Sequence, residues 1–436
     1  MSEIASERLN YLSKKQRAVS SRQQRQIIPC SNGVTFSCGQ TARIDIGGNQ
    51  MASYLDFQNS YLKLTINNGD SSAILLESAY ALLDKLEIMA DGATISSISN
   101  YGAVVHSYLD SEVGSNWKDN FGRGLAGTSF NYDEMVKITA GGKATYCLPL
   151  VLCPLFCNKY IPCMGRSTLS IRITFASAAK GTVGGATDSE IVMNPVEFIG
   201  SFVKLSAEAN ALVIANTGGR FEIITSDIRC SEHNVASGDN VLAKNLGFSF
   251  SSLDRVCFGF YPTLTTAATV SVGNRASGDV AEFAISINGS EHPAKRIQVG
   301  ADMSETFAEI GVASRSLADF NHQSSLNPYF IDTTSSVNTY TARFLMANPS
   351  GGPETTDGED YDANTGKAMY MLDTESMRPH SDPESLYSGV STLGSVVQLV
   401  GTLNSATVAS TLLVHAQYTL AMTLDLNGSQ TWVVSI

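Results

Sequence analysis

The sequence predicts an all-β protein of two tandem antiparallel sandwiches with a few short helices in the loops. Three observations carry that prediction. Clean period-2 alternation recurs from one end of the chain to the other, and helical periodicity is confined to two short stretches. One order of strand, tight turn, strand and helix also occurs twice, about two hundred residues apart, a spacing that fits a duplicated domain and no solenoid period.

The alternation is explicit in YLKLTINN, where Leu62, Leu64 and Ile66 share one face and Lys63, Thr65 and Asn67 the other. A strand with one buried and one wet face reads this way. ARIDI sets Ala42, Ile44 and Ile46 against Arg43 and Asp45; LSIRITF sets Leu169, Ile171, Ile173 and Phe175 against Arg172. VTFSC puts Val34, Phe36 and Cys38 together, and the first convincing strand is expected to begin at Val34. In VHAQYTLAMTLDL the apolar face runs from Val414 through Ala416, Tyr418, Leu420, Met422 and Leu424 to Leu426, leaving His415, Gln417, Thr419, Thr423 and Asp425 for solvent. At about 3.3 Å per residue that strand is about 43 Å long, which suits a tall sandwich.

Helices are expected after Ser99 or Asn100, with Tyr101, Val104, Val105, Tyr108 and Leu109 at helical spacing, and after Ser304, with Phe307, Ile310, Ala313 and Leu317. Each follows a hairpin whose turn is marked by Asp91-Gly92 or Asn288-Gly289. Leu83-Asp84-Lys85-Leu86 and Leu253-Asp254-Arg255-Val256 look like a further matching pair upstream. The junction is placed within 204–220, giving a first sandwich over 27–205 and a second over 206–436, behind an N-terminal arm over 1–26.

At 436 residues the chain suits two cores, and its 43% hydrophobic content is ample for them. Charged residues make up only 16%, below the roughly 25% usual for soluble domains, which favours broad protein–protein contacts. The net charge of −12 is uneven. Arg8, Lys14, Lys15, Arg17, Arg22 and Arg25 stand against Glu3 and Glu7 in the arm, a net of +4, which leaves −16 for the body. Opposite charge fits an arm that meets something outside its own domain, such as nucleic acid, lipid headgroups or an acidic partner. No signal peptide and no long apolar run is present, so synthesis inside a cell and reduced cysteines are expected.

Chemistry-bearing patterns are sparse. Cys147, Cys153, Cys157 and Cys163 lack the close pairs of a zinc framework and sit among Leu148, Leu150, Leu152, Leu155 and Phe156, so buried apolar roles are expected. The six histidines form no His-x-His or His-Glu-x-x-His group; His106 falls in the first helical pattern and His415 on a polar strand face. Nucleophile-elbow, P-loop and dinucleotide fingerprints are missing, and Gly122–Gly127 (GRGLAG) reads as a loop. Glu354, Asp357, Glu359, Asp360 and Asp362 form an acidic loop without EF-hand spacing, read as solvated. No catalytic residue, cofactor or structural metal is expected. Two other classes are open: a lectin-like or viral-spike β-sandwich, which has only Trp117 and Trp432 to offer a sugar, and a cupin-type enzyme, which lacks its histidines.

YLDFQNSYLKLTI, LDKLEIMADGATISSISNYGAVVHSYLDS and CLPLVLCPLFCNKYIPCMGRSTLSIRITF, taken in that order with SSLNPYF and the C-terminal strand, resemble the double-jelly-roll major capsid proteins of tailless DNA viruses, the lineage of adenovirus hexon, virophage capsids and polinton-like viruses. The resemblance implies two eight-stranded antiparallel jelly rolls per chain. It implies a homotrimer with a pseudo-hexagonal outline that tiles an icosahedral virion, beside neighbouring capsomers and penton or minor capsid proteins. The +4 of the N-terminus, repeated over many copies, reads as an interior arm in which Arg8, Lys14, Lys15, Arg17, Arg22 and Arg25 would touch neighbouring subunits, an internal membrane or the genome; the other reading is a disordered, solvated tail. Both sandwiches are expected to close without residues 1–26.

Overall fold

The computed structural model describes residues 21–47, 53–128, 136–164, 168–183, 186–262, 272, 275, 280–299, 304–314, 329–332, 340–343, 368–375, 389–403, 410–428 and 430–435. Eight principal strands make up the first half: β1 (Ser21–Pro29), β2 (Thr41–Ile46), β3 (Ser53–Asn68), β4 (Leu83–Ala90), β5 (Ala93–Ser99), β6 (Ile161–Cys163), β7 (Leu169–Phe175) and β8 (Ile191–Leu205). They form two antiparallel sheets, ordered β1-β8-β3-β6 and β2-β7-β4-β5. The second half repeats this with β9 (Arg220–Val235), β10 (Val241–Asn245), β11 (Leu253–Pro262), β12 (Val280–Ile287), β13 (Ser290–Gln298), β14 (Tyr370–Asp373), β15 (Val397–Leu403) and β16 (Ser410–Asp425). Its sheets run β9-β16-β11-β14 and β10-β15-β12-β13. Counted from one to eight within each half, both halves read 1-8-3-6 over 2-7-4-5. Two packed four-stranded antiparallel sheets with these crossovers make a jelly roll, and the chain has two.

Side strands widen the sheets: Phe36–Ser37 pairs with β8, Lys143–Leu148 with β3 and Trp432–Ser435 with β16. Both predicted hairpins form. Asp91 and Gly92 have φ of 50° and 87°, and Asn288 and Gly289 have 52° and 83°, the paired left-handed residues of a type I′ turn. Helix α1 (Tyr101–Glu112) follows β5, α2 (Ala207–Thr217) joins the two rolls, and α3 (Ser304–Ala313) follows β13. Leu62, Leu64 and Ile66 are fully buried, as are Val414, Ala416, Leu420, Met422 and Leu424, so the alternation read from the sequence does face the cores.

Four expectations change. Among the described residues the first strand begins at Ser21, not Val34. Its SRQQRQIIP sequence has no apolar alternation, and the backbone pairing with β8, from Ser21↔Leu205 to Pro29↔Glu197, holds it. Val34 is exposed, and only Phe36–Ser37 is extended there. Leu83 to Leu86 opens β4 whereas Leu253 to Val256 opens β11, the third strand of its roll, so the two tetrapeptides are not equivalent. Within GRGLAG, Arg123–Ala126 is a helical turn closed by Gly127 at φ 71°, and in the junction Ser206 caps α2 by accepting from the amide of Ala209 at 3.3 Å. The acidic loop and Leu317 lie outside the described residues.

Candidate functional site

The polar face of β16 is half-buried, not fully open to water. His415, Gln417 and Thr419 share the outer face of the β9-β16-β11-β14 sheet with Ile228, Cys257 and Met371. Val104, Ser107, Tyr108 and Ser111 of α1, with Leu152 of the Leu/Pro-rich turn, cover this face, so the first roll is docked on the outside of the second roll's sheet. Strand alternation reports a sheet with two unlike faces. It cannot tell water from the polar flank of a neighbouring helix.

Ionic and hydrogen-bonded groups fasten this seam. Arg275 is 1% exposed and donates to Asp110 Oδ2 of α1 at 2.5 Å, to Ala368 O at 3.1 Å and to Ser107 Oγ at 3.4 Å. Lys118 donates to the other oxygen of Asp110, so one buried carboxylate serves two cations. Glu112, at the end of α1, pairs with Arg255, whose Nε donates to Gln417 Oε1 at 2.5 Å. Asp227 of β9 accepts from Ser96 Oγ of β5 and from Tyr418 OH, each at 2.7 Å. Burial pushes its carboxyl up to about 6 despite those two donors. Asn100 donates to Glu232 Oε2 at 3.1 Å.

The corresponding face of the first roll, on β1-β8-β3-β6, is open in the single chain. Gln23 donates to Ser201 Oγ at 2.9 Å, and Arg25 donates to Tyr61 OH at 2.5 Å with its guanidinium carbon 5.7 Å from that ring's centre. These side chains, with Asn59 and Ile199, line a shallow cleft of about 480 Å³, and Ile27 beside it is 62% exposed.

Of the six basic residues singled out from the sequence, Arg8, Lys14, Lys15 and Arg17 lie outside the described residues. Arg22 and Arg25 belong to β1 and not to an arm. His106 is buried in α1 with Nε2 3.0 Å from Ser78 Oγ and Nδ1 3.6 Å from Glu77. Cys153 is buried and its thiol donates to Leu150 O at 3.3 Å; burial pushes Cys153 and Cys163 up to about 12. Trp432 is buried and the partly buried Trp117 packs beside Phe121, so neither indole lies in the cleft on the open face. The seam residues were missed because they come from seven separated stretches. The one available signal was the excess of acid at the end of the first predicted helix, Asp110 and Glu112.

No protein-family model matches the chain, and no curated protein matches it in sequence. Solved structures match it in fold. The PBCV-1 virus capsid protein superposes with a TM-score of 0.64 at 10% identity, over 98% of this chain and 99% of that one. The PBCV-1 VP54 structure fitted into the virophage Sputnik gives 0.63 at 10% identity, over 98% and 99%. The chain has the double-jelly-roll fold. The Faustovirus major capsid protein superposes on this double jelly roll with a TM-score of 0.51 at 8% identity, over 92% and 90%.

Proposed function

We propose that the protein is a viral major capsid protein, a structural and non-enzymatic component of the virion, acting as a homotrimer whose pseudo-hexagonal capsomers tile an icosahedral shell. One observation carries the reading: the same sheet face is covered in the second roll and open in the first. A second copy set on the open face makes a head-to-tail contact, and such contacts close into a ring when the rotation allows. Three copies give six rolls. The fold is that of the PBCV-1 capsid and Faustovirus major capsid proteins, which supports a shell role. Arg25, Tyr61 and Gln23 are then trimer contacts, and residues 1–20 form the basic arm that reaches a neighbouring subunit, an internal membrane or the genome. Neighbouring capsomers and penton or minor capsid proteins complete the shell, assembled in the host cell.

Reversing charge on the open face tests this. Arg25→Glu with Tyr61→Ala should leave each chain folded and weaken trimerisation at least ten-fold, seen by analytical ultracentrifugation across concentration. An unchanged trimer would remove this face from the interface.

A further inference from the structure

Across the seam face of the second roll the pairing register sets Cys257 between His415 on one neighbouring strand and Met371 on the other. Directly paired residues point to the same face with Cβ atoms about 4.5–5.5 Å apart. Met369 is two residues before Met371 and so projects to that face as well. All four side chains line one small, partly open cavity of about 20 Å³, flanked by Val104, Ser107, Tyr108 and Ser111 of α1. His415 Nδ1 is buried there without a hydrogen-bond partner. A thiol, two thioethers and an imidazole are the ligand types that select soft monovalent d¹⁰ ions such as copper(I).

We propose that this cavity binds one copper(I)-class ion per chain, held by Cys257, His415 and the thioethers of Met369 and Met371. On binding, the ion replaces the Cys257 thiol proton, which leaves to solvent, and a sulfur–metal bond forms with no change in oxidation state. Monovalency follows from the surroundings. The cations facing the site, Arg255 and Arg275, are already paired with Glu112 and Asp110, and no carboxylate lines the cavity. An ion that displaces one proton adds no net charge to this interior, whereas a divalent ion would add one uncompensated positive charge. Cys230 continues the row beyond His415. Two strand spacings of about 4.8 Å separate it from Cys257, too far for a disulfide to compete for that thiol.

The test is an anaerobic titration of the full-length protein with copper(I) buffered by excess bicinchoninate, which strips the ion from single thiols. One ion per chain should be retained, with sulfur and imidazole scattering at the copper absorption edge. Cys257→Ser and the volume-conserving Met371→Leu should each weaken retention at least ten-fold, and His415→Phe should remove the imidazole signal. Cys153→Ser, in the first roll, should change nothing. If Cys257→Ser does not fold, Met371→Leu and His415→Phe carry the comparison. Retention of no ion, or equal retention by the Met371→Leu variant together with an unchanged spectrum in His415→Phe, overturns the proposal and leaves the cavity to water. Neither result bears on the capsid reading, which rests on a different face.

Discussion

Asp227 joins three strands from both rolls through two short hydrogen bonds, yet burial holds its carboxyl at about 6 where an ordinary one lies near 3.8. A carboxyl raised on folding stabilises the fold most when protonated. Its contribution is full below pH 3.8 and is lost as pH rises through 6. Across that window the penalty at Asp227 is on the order of 2–3 kcal/mol. His415, lowered to about 3, acts in the opposite sense, because an imidazole that resists protonation in the fold loses stability as pH falls below 6.5. Wild type therefore sums opposing slopes. Asp227→Asn removes one of them, and its melting temperature should fall more steeply from pH 6.5 to pH 4 than wild type's. Parallel curves for the two proteins would show that Asp227 does not titrate in this window.

At the scale of elements, α1 is what fastens one roll to the other. Asp110→Ala leaves the buried guanidinium of Arg275 and the ammonium of Lys118 without their carboxylate, and breaking a buried pair in this way costs about 3–5 kcal/mol. Urea unfolding should register that loss, while Glu208→Ala on the exposed helix α2 should stay within about 0.5 kcal/mol of wild type. The close seating of α1 also needs Gly102. A Cβ there would lie 2.5 Å from the carbonyl oxygen of Tyr80, so Gly102→Ala should cost about 1–3 kcal/mol. Gly124, with nothing within 4 Å of such a Cβ, is the matched control.

Strands with one apolar face, both type I′ hairpins and helix α1 were legible because each is encoded locally, in alternation, in Asp-Gly and Asn-Gly, and in a period near 3.6. Strand β1 was not, because it carries no apolar stripe and is held by its partner's backbone. The seam was not legible either. Arg275, Asp110 and His415 are brought together only by the topology, and a neighbouring roll looks like solvent to a strand's polar side chains.

At the scale of the whole molecule, the arm and the trimer are the points at issue. Deleting residues 1–20 spares β1 and should leave the rolls folded while reducing complete particles, because terminal arms order only when a partner ties them down. Deleting 1–26 removes six of the nine β1–β8 pairs and should lower the melting temperature as well. The comparison is one of trimer yield, melting temperature and particle count for the two truncations. The most direct measurement of the central claim is the mass and outline of the purified protein, by light scattering coupled to negative-stain imaging. The account predicts three times the 46.5 kDa chain, 139.5 kDa, in particles of pseudo-hexagonal outline; a 46.5 kDa monomer at every salt concentration and pH would contradict it.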